Sequence, residues 1–290
     1  MSLRSFHHAD FPAERLRAER EETISVCVPA RDEAAAIARV VAPLVALCEA
    51  GVIDQIVVVD HDSLDGTGAI AARLGAEVHR AAGLLPELGP VLGKGDAMWR
   101  SLSVLTGELV CFVDGDSEDF GGHFACGLLG PLVCEPDVQF VKGFYRRPFK
   151  GGGDDVQPSG GGRVSELTAR PLLNAFYPEL AAVRQPLAGE IAARRELLAR
   201  IAFCTGYGVD VGLLVDVYAE LGLDGLAQVD LDVRQNNHRP LADLAPMAAA
   251  VLGAVTSRLR RDGRLVDGAT GETPLERPPM AAVRAVRASG

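Results

Sequence analysis

The stretch "LVCFVDGDSEDF", Leu109 to Phe120, runs an apolar segment into two aspartates one residue apart, Asp114 and Asp116. Carboxylates that close repel each other unless a cation or a shared proton intervenes. Their oxygens suit a hard divalent cation, Mg²⁺ or Mn²⁺, that also grips phosphate. A solvated acidic turn is the ordinary alternative for an isolated Asp-x-Asp. The apolar run before this pair, and the polar ends of neighbouring runs, favour the metal.

Two further stretches suit anions. "GKGDAMWRS" places Lys94 between two glycines ahead of a helical pattern, where a diphosphate would meet an ammonium and close backbone. It is not a P-loop, because GxxxxGK[ST] fails after the lysine and at the upstream glycine. "SGGGRVSELTARP" sets Gly160 to Gly162 before Arg163 and Ser165 at an expected helix start, which could hold a phosphate or carboxylate or form only a flexible loop with a capping serine. "FYRRPF" adds Arg146 and Arg147, either of which could be solvated surface.

The remaining candidates are polar groups at the ends of apolar runs. In "VPARDEAAAI", Pro29 and Ala30 would shape a crossover whose backbone can face a nucleobase, and Glu33 either accepts hydrogen bonds or favours a helix N-terminus. In "DHDSLDGT", Asp60 is a base or ribose contact, while Asp65 caps a helix. "TGYGVDVGLL" places Tyr207 and Asp210 at a helix start. "VRQNNHRPL" puts Asn236, Asn237 and His238 after a strand, where a histidine suits metal or phosphate work.

The elements that must position these groups alternate. "TISVCVPA", "QIVVVD", "EVHR" and "LVCFVDGD" read as strands, separated by "EAAAIARVVAPLVALCEA", "DGTGAIAARLG" and "KGDAMWRSLSVL" as helices. That alternation predicts an α/β fold, a mostly parallel sheet flanked by helices, which binds ligands at the carboxyl ends of its strands. "KGGGDDVQPSGGG", Lys150 to Gly162, reads as a mobile loop or lid. Beyond it, "RVSELTARPLLNAF", "EIAARRELLARI", "VDVGLLVDVYAELG" and "LADLAPMAAAVLGAVTSRLR" read as helices and "LAQVDLDVRQ" as a strand. The predicted division is a core over residues 22–145, a mainly helical region continuous with it over 146–260, and a flexible tail over 261–290.

Composition narrows the partners. A net charge of −10 on 290 residues argues against a nucleic-acid or anionic-membrane surface, so an anionic ligand needs a local basic pocket. The six cysteines form no CxxC pair and read as reduced core residues of a cytoplasmic protein. "FPAERLRAEREE" is charged where a signal peptide needs an apolar segment, and no run is long enough to span a membrane.

In order, "VPARDE", "VVVDHDSLDGT", "GKGDAMWRSL", "FVDGD", "KGFYRRP", "GGGRVSELTARPLL", "QPLAGE", "GYGVDVGLL" and "VRQNNHRPL" resemble the mannosyl- and glucosyl-3-phosphoglycerate synthases, retaining glycosyltransferases of GT-A fold. The match runs from about Thr23 to Leu241. The resemblance implies transfer of a hexose from a nucleotide sugar to the 2-hydroxyl of 3-phosphoglycerate, with Mg²⁺ or Mn²⁺. It assigns Pro29, Ala30, Arg31, Glu33 and Asp60 to the nucleotide pocket, and Lys94 to the donor's phosphates or sugar. Asp114, Gly115 and Asp116 become the DxD motif, with Asp116 the direct metal ligand. Gly162, Arg163 and Ser165, with Tyr207 and His238, would hold the acceptor.

Two departures bear on the sugar. Asp210 stands where the glucosyl enzymes carry Glu, and "RQNNH" offers Asn236 and His238 in place of an R-x-H-x-N arrangement, so either could supply the third metal ligand. These changes favour GDP-mannose as donor, with UDP- or GDP-glucose as the alternative. A homodimer is expected, the helix from Leu241 to Leu259 being able to supply the contact. An aspartyl-phosphate phosphatase fits poorly, since Glu118 occupies the place its motif gives to Thr or Val. A nucleotidyltransferase lacks its Arg-containing glycine signature, and a non-catalytic sugar-nucleotide binder stands as the reading of another class.

Overall fold

The computed structural model describes residues 2–150, 156–157, 161–235, 240–265 and 274–288. The chain opens with β1 (Arg4–His7) and α1 (Ala13–Glu19), then alternates β2 (Ile24–Ala30), α2 (Ile37–Glu49), β3 (Gln55–Asp60), α3 (Thr67–Arg73), β4 (Glu77–Arg80), α4 (Lys94–Ser101) and β5 (Leu109–Phe112). After α5 (Gly122–Cys134) come β6 (Phe140–Arg146), a ribbon of β7 (Phe149–Lys150) and β8 (Val156–Gln157), and α6 (Arg170–Phe176). The rest is β9 (Ile191–Arg194), α7 (Arg195–Arg200), β10 (Phe203–Cys204), α8 (Val209–Leu221), β11 (Leu226–Val233), α9 (Ala245–Arg261), β12 (Glu276–Arg277) and α10 (Met280–Ala288).

Eight strands make one sheet in the order β1-β11-β6-β9-β5-β2-β3-β4. All neighbours are parallel except β9, which runs antiparallel to both β5 and β6. Successive residues of a strand face opposite sides, and β2 shows the result. Cys27 joins Trp99, Phe112 and Leu213 on one face, while Val26 and Val28 join Val40, Leu44 and Phe124 on the other. Apolar residues on both faces give the near-continuous hydrophobic strands of a covered parallel sheet. The expected α/β architecture is therefore observed.

Two expectations fail on tertiary grounds. "EIAARRELLARI" is helical only over α7; its first half is β9, whose small residues Ala192 and Ala193 are wholly buried between β5 and β6. A vacancy in the middle of a sheet outweighs the helical preference of alanine. The predicted flexible tail instead forms β12 and α10 over part of its length. Arg277 Nε lies 2.9 Å from Oδ1 of the buried Asp96, and Trp99 Nε1 donates to the Pro278 carbonyl at 2.8 Å. Met280 is buried against the same core. Glycine and proline around these anchors hid them from a reading of composition. The glycine-rich lid falls mostly outside the described residues, as do Asn236, Asn237 and His238. No described helix is long and apolar enough to cross a membrane.

Candidate active site

A cavity of about 700 Å³ opens at the carboxyl ends of β2 and β5. It is lined by Pro29, Ala30, Arg31 and Glu33, by Lys94 at the start of α4, and by the run Asp114, Gly115 and Asp116. Gly162, Arg163, Ser165, Tyr207 and Asp210 line the same cavity. Asp60 is not among the lining residues. Its carboxylate accepts from Ser63 N–H at 3.0 Å and so shapes the loop instead; the neighbouring His61 reaches the cavity.

The polar strand ends are laced together. Asp32 N–H donates to Ser63 Oγ at 2.9 Å, and Glu33 N–H to Thr67 Oγ1 at 2.8 Å. Ala34 N–H donates to Asp65 Oδ2 at 2.8 Å, and Asp65 Oδ1 also accepts from Thr67 N–H at 3.0 Å. The N-cap of α3 is Gly66, and Asp65, expected as the cap, lies one residue earlier and holds the first helical N–H, that of Thr67. Asp32 and Asp62 take left-handed backbone, each with φ 55°, a conformation aspartate tolerates better than most residues. Asp32 Oδ1 accepts from Leu64 N–H at 2.9 Å, and Asp62 pairs with Arg80 at 2.8 Å. Side chains too short to reach the ligand thereby fix the loop that does.

Asp114 and Asp116 find their cation within the chain. Arg234, just beyond β11, is 2 % exposed at its side chain and lies at the centre. Its Nη1 lies 2.6 Å from Glu190 Oε1, 2.8 Å from Tyr145 Oη and 3.1 Å from Asp114 Oδ2, and its Nη2 donates to Asp116 Oδ1 at 2.5 Å. Lys94 Nζ donates to the other Asp114 oxygen at 2.7 Å and lies 3.8 Å from Asp210 Oδ2. Burial would raise Asp114, but Lys94 and Arg234 together hold it well below the usual carboxylate range. Burial likewise disfavours the Lys94 ammonium, yet Asp114 and then Asp210 keep it firmly protonated. A guanidinium fork suits this task because it serves several carboxylates in one plane.

Glu190 and Asp210 have the opposite balance. Burial pushes both above their ordinary values, against the pull of Arg234 on the first and of Lys94 and Lys142 on the second. Asp210 Oδ1 is buried with no hydrogen-bond partner among the described residues, a costly state that a ligand hydroxyl would relieve. Lys142 on β6 is 2 % exposed and donates to the Ala188 carbonyl at 2.8 Å; burial lowers it to about 8. The next residue, Gly189, passes so close that a Cβ there would lie 2.4 Å from both Asp114 Oδ1 and Lys94 Nζ. Only glycine fits.

Arg147, read as an anion contact or solvated surface, lines the cavity, while sequence reasoning missed Arg234, Glu190, Lys142 and Tyr145. A signal existed for two of them. Glu190 opens the β9 run and Arg234 closes β11, each a charge at the end of an apolar strand, as Asp114 is. Ser165 begins a π-helical turn, Ser165–Ala169, preceded by Gly162 at φ 75°. Such turns recur at functional sites.

The sequence pattern of Glycosyl transferase family 2 matches residues 25–175. The chain belongs to this family. It is 47% identical over 242 residues to the glucosyl-3-phosphoglycerate synthase of Mycolicibacterium smegmatis, covering 83% of this chain and 79% of the relative. The mannosyl-3-phosphoglycerate synthase of Rubrobacter xylanophilus superposes with a TM-score of 0.87 at 44% identity, covering 97% of this chain and 96% of that one. The glucosyl-3-phosphoglycerate synthase of Mycobacterium tuberculosis, in complex with Mn²⁺, UDP-glucose and phosphoglyceric acid, superposes with a TM-score of 0.86 at 39% identity, covering 97% and 99%. This family 2 glycosyltransferase has the GT-A fold, and its cavity lies on the strand edge where such a sheet binds ligands.

Proposed function

We propose that the chain transfers glucose from a nucleoside-diphosphate glucose, UDP-glucose foremost, to the 2-hydroxyl of 3-phosphoglycerate with retention of configuration. The observation that carries this reading is that one cavity is lined both by the Asp114–Asp116 pair with Lys94 and by Gly162, Arg163 and Ser165. A diphosphate and a phosphorylated acceptor would meet there. The curated relatives that match are named glucosyl-3-phosphoglycerate synthases, which moves the reading from GDP-mannose to glucose. A mannosyl activity is the second reading, supported by the Rubrobacter neighbour and by the shorter Asp210. The donor side would comprise residues 22–145 and the acceptor side 146–260, with Arg234 reaching back to the donor side.

The residues fit a divalent cation, Mg²⁺ or Mn²⁺, though not as a symmetric pair of ligands. Both Asp114 oxygens are spent on Lys94 and Arg234, whereas Asp116 lines the cavity with Oδ2 unbonded among the described residues. Asp116 would therefore hold the ion. When bound, the ion would supply positive charge to the departing diphosphate. Asp116 is 44% exposed at its side chain, so its unbonded anionic oxygen is accessible to a hard cation.

The chain's own groups perform the rest. Lys94, fixed by Asp114, meets the donor phosphates; Asp210 Oδ1 accepts from a sugar hydroxyl; Arg163 and Ser165 orient the acceptor phosphate. The acceptor hydroxyl attacks on the face from which the diphosphate leaves, and a departing phosphate oxygen takes its proton. A homodimer in the cytoplasm completes the reading, with α9, which leaves Leu252 45% exposed, as the contact.

The test is a transfer assay with Mg²⁺ and 3-phosphoglycerate against UDP-glucose, GDP-glucose, GDP-mannose and UDP-mannose, following nucleoside diphosphate release and the phosphorylated product. Highest turnover with a glucose donor supports the proposal; a mannose donor in first place selects the second reading. No product from any of the four, with nucleotide still bound, selects a non-catalytic binder.

A further inference from the structure

Three of the six histidines of the chain, His7, His8 and His123, gather at the end of β1. β1 is the edge strand, and its partner β11 loses register between Asp230 and Val233. The irregularity turns Asp232 into left-handed backbone at φ 69°, held by a bond from Asp232 N–H to Asp230 Oδ1 at 3.0 Å. Its carboxylate then meets both adjacent histidines. His8 Nε2 lies 2.7 Å from Asp232 Oδ2, and His7 Nε2 lies 3.5 Å from Oδ1. One ligand atom from each of the three residues lies within 4.8 Å of the others.

We propose that His7, His8 and Asp232 form a binding site for a first-row transition cation of the Zn²⁺ class, separate from the transferase cavity. Two imidazoles and one carboxylate are the donor set such ions prefer, and the hard Mg²⁺ of the cavity is not drawn to imidazole. Ligand atoms in a tetrahedral shell stand roughly 3.3 Å apart given bond lengths of about 2 Å. The observed spread of 2.7 Å to no more than 4.8 Å brackets that value, so side-chain rotation suffices.

The site is built. His8 is 18% exposed at its side chain, stacks on His123 with ring centroids 4.6 Å apart, and rests on Gly127, where a Cβ would lie 2.9 Å from the His8 Cβ. His7 and Asp232, at 44% and 49%, leave the fourth position to water. Without metal, Ala9 N–H donates to His7 Nδ1 at 3.2 Å, so the ring proton sits on Nε2 toward Asp232. On binding, the cation takes the place of that proton, which moves to Nδ1, and the long Ala9 bond is given up. The ion would tie the chain's first strand to the bulge two residues before Arg234, and so brace the residue that holds the acid pair.

The experiment uses the full chain carrying Asp116→Asn, which weakens the cavity's own metal site, with Co²⁺ as probe and no nucleotide. Titration should give one equivalent with the ligand-field absorption of a nitrogen-containing shell. Adding His8→Ala or Asp232→Asn should weaken binding at least about tenfold, as loss of a ligand does, while the circular dichroism of the metal-free protein stays unchanged. Where His8→Ala fails to fold, His7→Ala serves in its place. Co²⁺ should also raise the thermal midpoint of the Asp116→Asn chain by mass action, and not that of the added His8→Ala. Absence of the absorption at millimolar Co²⁺, or the same affinity with and without His8, overturns the proposal.

Discussion

β3 and β5 both run apolar residues into acids, "VVVDHDSLD" and "LVCFVDGDSED", yet the two ends do different work. At the end of β3, Asp60 Oδ1 and both Asp65 oxygens accept from backbone N–H groups within a few residues or on the adjoining loop, and Asp65 Oδ1 accepts also from the Thr67 hydroxyl. The exposed Asp62 pairs with Arg80 at the surface. At the end of β5 the oxygens of Asp114 are taken by charged side chains from α4 and from beyond β11. Backbone donors are neutral and fixed, so they turn an acid into a loop support. Side-chain cations are charged and can be shared, so they turn an acid into part of a titratable, ligand-responsive network. The difference lies in the partner, and partners come from topology.

The sharpest way to break this contrast is to remove the shared cation. Arg234→Met strands the buried Glu190 without its main compensation and leaves Asp114 with Lys94 alone. Loss of one partner from a buried ion pair costs about 3–5 kcal/mol, which a urea titration should read as a large drop in midpoint. Activity should fall by more than about 10³-fold, because Asp116 loses its anchor and Asp114 keeps only Lys94. Arg234→Lys, which keeps charge but not the fork, should fold and remain severely impaired. Wild-type turnover in either variant would remove Arg234 from the site.

How far the sequence reached follows the same division. The strand–helix alternation, the ligand-bearing edge and the cavity-lining residues named from motifs were legible, because each depends on neighbours in the chain. Asp60 was misassigned since a strand-end acid looks alike whether it faces the ligand or Ser63 N–H. Arg234, Glu190 and Lys142 were passed over because their roles exist only once β11, β9 and β6 lie beside β5. β9 was read as helix for the same reason. Its alanines fit a narrow slot that only the finished sheet defines, and the anchors of β12 and α10 are single residues within a stretch of loop-like composition.

Asp116 and Lys142 test the charged end more gently. Asp116→Asn keeps an acceptor for Arg234 but removes the free anionic oxygen. Turnover with Mg²⁺ should drop by about 10²–10³-fold, on the order of 3–4 kcal/mol of barrier, while stability shifts by under about 0.5 kcal/mol, as for an accessible side chain. Unimpaired turnover would sink the metal assignment. Lys142 is examined through pH. Its folded value of about 8 lies below the ordinary 10.5, so between those values the unfolded chain holds a proton that the folded chain has released. Stability of the wild type relative to Lys142→Met should therefore climb as pH rises through that window, by about 3 kcal/mol in all. A difference flat from pH 7 to 11 would place the proton elsewhere.

The neutral end should yield the smallest effect and a different kinetic signature. Thr67 is fully buried; its Oγ1 accepts from Glu33 N–H at 2.8 Å and donates to Asp65 Oδ1 at 2.5 Å. Thr67→Val keeps the shape and deletes the oxygen, leaving the Glu33 N–H without an acceptor. The cost should be about 1 kcal/mol, visible as a modest fall in thermal midpoint. Because Pro29 to Glu33 line the cavity and touch no reacting atom in the proposed chemistry, the loosened loop should raise KM for the donor several-fold and leave kcat nearly intact. At the charged end the same loss of one oxygen, in Asp116→Asn, should act on kcat. If Thr67→Val instead lowers kcat and spares KM, the β3 loop belongs to the chemistry after all, and the contrast between the two strand ends collapses.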